Sequence, residues 1–115
     1  HTIECRVNAE NAKDFSPSPG KIKFINIPGG RGIRVDTALY TNYKVNPHYD
    51  SLILKIISKG KDRDESIAIM KRALEEIIID GINTNIELHK WILNQKDFLN
   101  GTYNTNWLEK NINNF

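Results

Sequence analysis

A chain of 115 residues, 39% of them hydrophobic, suits one domain with a real core and is short for an enzyme that must close over a nucleotide. Its 16 Lys and Arg against 14 Asp and Glu leave a net charge of +2, which falls short of the basic stripe that nucleic-acid binding needs. No run of about twenty apolar residues occurs and the start lacks a secretory signal pattern, so a membrane span and secretion are set aside.

The lone Cys5 has no partner for an internal disulfide, and the expected compartment is the reducing cytoplasm. In residues 1–10, Ile3, Cys5, Val7 and Ala9 alternate with Glu4, Arg6, Asn8 and Glu10, which predicts a strand with one apolar and one charged face. Cys5 reads as a small buried hydrophobe. Arg6, flanked by Glu4 and Glu10, would be held in one orientation, as recognition of an anion or enolate requires. The same pattern also fits an ordinary solvated strand in which Arg6 merely pairs with one of those carboxylates.

Ser16-Pro17-Ser18-Pro19-Gly20 predicts a rigid turn, followed by a strand over residues 21–27 with Phe24 toward the core. Residues 28–32 lack the Gly-Lys-Ser/Thr ending of a phosphate loop and read as a hairpin-like connection into a strand at Ile33 and Val35. Asp50, at the entrance of the next strand, is expected to hydrogen-bond turn amides. Residues 52–57, apolar except for Lys55, predict a central strand buried on both faces.

The second half turns helical. Asp62 and Glu65 make a capping-box-like start, and Ile67, Met70, Leu74, Ile77 and Ile78 recur at helical spacing until Gly81. Thr84 and Glu87 offer a second capping pair before Leu88, Trp91 and Ile92. A polar connection over residues 94–104 leads to a short final helix carrying Trp107, Leu108 and Ile112. Strands first and helices later give an α+β fold. His1, His48 and His89 have no Cys or carboxylate at metal-ligand spacing, so no metal site is expected within the chain, and His89 is placed on a helix surface. Trp91 and Trp107 are assigned to core packing.

Glu4-Cys5-Arg6-Val7-Asn8-Ala9-Glu10, Pro17-Ser18-Pro19-Gly20-Lys21-Ile22, Pro28-Gly29-Gly30, Gly32-Ile33-Arg34-Val35-Asp36, Tyr49-Asp50-Ser51-Leu52-Ile53 and Asp80-Gly81-Ile82-Asn83-Thr84-Asn85 follow one another in a familiar order. With Ala68, Met70 and Ala73-Leu74, this series closely resembles the C-terminal domain of biotin carboxylase. That enzyme is the ATP-grasp component of the biotin-dependent carboxylases, and the likeness is greatest to the bacterial acetyl-CoA carboxylase subunit of fatty acid biosynthesis.

The resemblance implies a half-barrel-like antiparallel sheet of the barrel-sandwich hybrid type, packed by C-terminal helices, with residues 1–115 a single domain of a longer chain. It further implies that ATP, with Mg2+ or Mn2+, turns bicarbonate into carboxyphosphate, and that the carboxyl group passes to biotin on a carrier protein. Arg6 matches the arginine that contacts the biotin ureido oxygen. Arg34 matches an arginine of the homodimer interface, whereas Arg31 stands where relatives often have Phe, Leu or Pro. Thr105 and Asn106 fall where the C-terminal segment passes near the adenine, with Asn106 in place of a frequent His. Biotin carboxyl carrier protein, carboxyltransferase subunits and a second copy are the implied partners. The metal and phosphate ligands of the family would lie upstream of His1, which makes the 115 residues alone inactive. Within the family, a pyruvate, propionyl-CoA or urea carboxylase is the alternative. A non-enzymatic RNA- or protein-binding module is the reading from another class; it would use Lys21, Lys23, Arg31, Arg34, Lys55 and Lys59 as a basic sheet surface.

Overall fold

The computed structural model describes residues 1–48 and 50–115. Among the described residues seven strands come in chain order as β1 (Thr2–Asn8), β2 (Gly20–Lys21), β3 (Phe24–Asn26), β4 (Ile33–Thr37), β5 (Lys44–Val45), β6 (Leu52–Lys59) and, after helix α1 (Arg63–Glu76), β7 (Ile78–Asp80). Helices α2 (Ile86–Ile92), α3 (Lys96–Asn100) and α4 (Trp107–Asn111) follow, the last running into a 3-10 turn at Ile112–Asn114. The fold is α+β, as expected. Its main sheet is antiparallel and open, in the order β1-β6-β4, with small two-stranded ladders β2-β5 and β3-β7 beside it.

The branched run of β6 makes it the middle strand, and pairing sets which side chains share a face. Cys5 lies opposite Ile56 and Val7 opposite Leu54, while Val35 flanks Ile56 from the other side. These residues face α1, whose Met70, Ala73 and Leu74 are fully buried against them. Burial of such side chains contributes about 1.5–3 kcal/mol each relative to exposure, before entropy is set against it. A polar clasp joins the layers: the buried Ser58 hydroxyl donates to the Ser66 carbonyl at 2.9 Å, and the Ser66 hydroxyl donates back to the Ser58 carbonyl at 3.3 Å. The expected burial of β6 on both faces holds only for the face toward α1, because Ile53, Lys55 and Ile57 on the other are half-buried.

The Asp62 carboxylate caps α1 by accepting the Glu65 amide at 2.9 Å, as its spacing suggests. The helix does not continue to Gly81. It ends at Glu76, Ile77 turns extended, and Ile78–Asp80 pairs with β3. The run Ile77-Ile78-Ile79 has branched side chains that favour strand geometry once a partner edge is available. Gly81 is required for a different reason: its φ is +110°, and a Cβ there would sit 2.1 Å from the Lys21 carbonyl oxygen.

The expected strand over residues 21–27 is two short strands in different ladders. Ile22 donates to the Tyr43 carbonyl and Lys23 to the Asp80 carbonyl, so the chain changes partner there. Ile22 is fully buried, while Phe24, expected inside, is 50% exposed. Residues 28–32 join β3 to β4 in another sheet and are not a hairpin. The segment 94–104, read as a polar connection, contains α3. Its cap is the left-handed Gly101.

Candidate functional site

Arg6 sits on β1 with its side chain on the sheet face turned away from α1, because Cys5 and Val7 on either side are locked in the core. It is exposed, and among the described residues its guanidinium makes no ion pair. The flanking carboxylates do not take it. Glu10 instead accepts from the Asn8 side-chain amide at 3.2 Å and from the Ser51 hydroxyl at 3.5 Å. Arg6 is therefore neither tied to Glu4 or Glu10, as an ordinary solvated strand would have it, nor held by them in one orientation, the expectation from the alternation.

Although the guanidinium is free, the backbone beneath it is fixed. β1 is an edge strand, and the start of α2 covers that edge at Arg6 and Asn8. The Asn85 side-chain Oδ1 accepts the Asn8 backbone amide at 2.8 Å, and its side-chain NH2 donates to the Arg6 carbonyl at 3.2 Å. His89, one turn further along α2, donates Nε2–H to the same carbonyl at 2.9 Å. Asn85 is only 6% exposed. On the other side the ladder shifts register between Val7 and Asn8, so that Asn8 pairs with Leu52 and Ile53 is passed over. An irregularity of this kind re-aims the strand next to a site.

Neither Asn85 nor His89 was singled out from sequence. The expected cap at Thr84 is in fact Asn85, which spends its side chain on β1 rather than on its own helix. His89, placed on a helix surface, is half-buried, and burial lowers its pKa against the opposing pull of the Arg6 carbonyl and Glu10. The one available signal for Asn85 was its place in the run Asp80-Gly81-Ile82-Asn83-Thr84-Asn85.

Arg34 shares the outer sheet face with Arg6, with β6 between them. It makes a two-pronged pair with Asp36, at 3.0 and 2.9 Å, and remains 73% exposed in its side chain. Thr105 and Asn106 are exposed in the turn before α4, and no hydrogen bond joins either to Arg6. The Asp50 carboxylate accepts the Leu52 amide at 3.0 Å, the structural role expected of it. Cys5 is buried, and burial, aided by Glu4, pushes its thiol up to about 12, so it stays protonated and is no nucleophile. Trp91 and Trp107, expected in the core, are half-buried and meet at a tilt of 35° with centroids 5.7 Å apart, and the Phe115 ring lies 5.6 Å from that of Trp91. Among the described residues no three His, Cys, Asp or Glu side chains are grouped to hold a metal ion.

The sequence that builds this clamped edge strand matches the family model of the biotin carboxylase C-terminal domain over residues 4–110. The chain belongs to that family. Over 112 residues it is 53% identical to a biotin carboxylase of Pseudomonas aeruginosa, a match that covers 97% of the chain and 25% of the relative. The fold superposes with a TM-score of 0.92 on the Campylobacter jejuni biotin carboxylase solved as a βγ-ATP complex, at 43% identity, covering 95% of the chain and 24% of that one. It superposes equally well, at 0.93 and 42% identity, on the biotin carboxylase domain dimer of Hydrogenobacter thermophilus 2-oxoglutarate carboxylase, solved with MgADP, ADP and bicarbonate. There the match covers 96% of the chain and 24% of the other.

The chain thus spans about a quarter of the length of the biotin carboxylases it matches. The competing basic-surface reading finds no support: Lys21 lies in the β2 ladder, apart from Arg34, Lys55 and Lys59 on the main sheet, and Arg34 is neutralised by Asp36.

Proposed function

We propose that this chain forms the biotin-side wall of a biotin carboxylase active site, with Arg6 the residue that meets biotin. The observation that carries the reading is the contrast at Arg6: a backbone held by Asn85 and His89 under a guanidinium that nothing nearby neutralises. Carboxylation of biotin would pass the ureido N–H proton to a base outside this chain, such as the phosphate released from carboxyphosphate, build negative charge on the ureido oxygen, and let the nitrogen form its bond to carbon dioxide. A guanidinium carried on that fixed backbone, with no ion pair to break, can close on the oxygen and stabilise that charge as it grows.

In the longer protein the carbon dioxide would come from bicarbonate activated by ATP, and the biotin would arrive on a carrier protein. The carboxyl group would pass on to a carboxyltransferase, as in the first half-reaction of acetyl-CoA carboxylase. The nucleotide's Mg2+ or Mn2+ does not fit any grouping among the described residues, so no step is assigned to it within this chain. Thr105 and Asn106 are proposed to lie beside the adenine, and Arg34 at a homodimer interface. We take the 115 residues as one domain of a cytoplasmic enzyme, inactive in isolation.

The test is Arg6→Gln in the full-length protein. Because Arg6 is exposed and leaves no core cavity, melting temperature and ATP affinity should stay as in wild type, while free-biotin carboxylation falls by roughly a hundredfold, the loss typical of one such donor. Wild-type carboxylation by the variant would end the assignment.

A further inference from the structure

Lys55 lies directly opposite Arg6 across the β1-β6 ladder and directly opposite Asp36 across the β6-β4 ladder. All three share the outer sheet face, since their neighbours Leu54, Ile56, Cys5 and Val7 point into the core. Asp36 is the natural partner for the Lys55 ammonium, yet both of its oxygens are held by Arg34. Glu4, the other carboxylate of this face, stands opposite Ile57 instead. Among the described residues neither Lys55 nor Arg6 has an ion pair.

Like charges directly opposite on a sheet are destabilising, because their side chains leave the backbone only about 4.5–5.5 Å apart. Lys55 is moreover half-buried in the middle strand, where it is less free than a rim lysine to swing away from its neighbour. Arg34 holds Asp36 and Glu4 is only diagonal to Lys55, so the two facing cations lack a direct ion-pair partner, and a broken local rule of this kind is expected at functional or strained sites.

We propose that Lys55 is a second cation of the Arg6 site, set to act on the same anionic ureido oxygen. This rests on the function proposed above. The two groups differ in kind: the guanidinium offers a planar fork, and the ammonium a compact point charge. Together they accept one oxygen that gains charge during deprotonation, with Arg6 fixing direction and Lys55 adding field.

The experiment compares Lys55→Met, Lys55→Arg, Arg6→Gln and the Lys55→Met/Arg6→Gln double variant in the full-length protein, with free biotin as probe. Lys55→Met is expected to slow carboxylation about tenfold at low salt while leaving the KM for ATP unchanged, and Lys55→Arg to restore most of the rate. Its melting temperature should equal or exceed that of wild type, because a like-charge contact has been removed, and any gain should shrink with added salt. In the Arg6→Gln background the further loss should be under about twofold, as groups acting on one atom are not additive. A wild-type rate in Lys55→Met alongside a slow Arg6→Gln overturns the role of Lys55 and leaves that of Arg6 intact. A wild-type rate in Arg6→Gln overturns the site itself. A drop in melting temperature with proportionate loss of every activity also overturns the proposal, since Lys55 then anchors a carboxylate elsewhere in the protein.

Discussion

His89 carries its ring nitrogen 2.9 Å from the Arg6 carbonyl, in a half-buried place that holds its pKa below the ordinary histidine value. Burial is the larger cause, and the Arg6 carbonyl and Glu10 act against it. A depressed folded-state pKa means that the unfolded chain takes up the proton first. The stability His89 contributes is therefore fully present above the unfolded value, near 6.5, and is lost as pH falls through the lower folded value. Melting temperature followed from pH 7 downward should drop more steeply for wild type than for His89→Gln, with His1 and His48 common to both; equal slopes would remove His89 as the cause. The face that Arg6 occupies was legible from sequence because strand alternation sets it, and its proposed role comes from the order of motifs. His89 and Asn85 were not, because their function is a contact between segments about eighty residues apart, 83 and 79 positions from Arg6, which no local spacing encodes.

At the scale of elements, α2 matters as the cover of an edge strand more than as a helix. It is short, its N-terminus is not capped by a side chain, and the side chain at that cap position bonds across to β1. Asn85→Ala would leave the Asn8 amide and part of the Arg6 carbonyl without partners in a buried place, which costs about 1–3 kcal/mol. Urea unfolding should show that loss, and hydrogen exchange at the Asn8 amide should quicken more than exchange in the β6 interior. Exchange unchanged at Asn8 would show that the edge holds without α2. The same scale explains where sequence reading stopped. β6 and the start of α1 were legible because periodicity and a capping pair are local. The end of α1 was not, since Ile77 and Ile78 fit a helical face as well as a strand, and only the presence of β3 across from Ile78–Asp80 decides between them. The break after Lys21 was hidden likewise: it depends on Tyr43 and Asp80 accepting successive amides from opposite sides.

Across the whole molecule, one face of the main sheet is closed by α1 and the other is left to Glu4, Arg6, Lys55, Arg34 and Asp36, so the chain presents its charge on the side opposite its core. On that face Arg6 and Arg34 are separated by one strand, which sets the proposed catalytic edge and the proposed dimer edge on a single rigid ladder. Arg34 and Asp36 are exposed at 73% and 44%, and a surface pair of that kind adds little to folding stability. Their two-pronged geometry instead holds a guanidinium in one orientation on a strand edge, with donors to spare for a second copy. Arg34→Glu in the full-length protein would place a second carboxylate beside Asp36 and reverse the charge offered to the partner. Sedimentation at micromolar concentration should then show a shift from dimer toward monomer, with the melting temperature of the monomer fraction close to that of wild type. A variant as dimeric as wild type would place the interface elsewhere, and one that fails to fold would assign Arg34 to the ladder itself, against the small contribution its exposure implies.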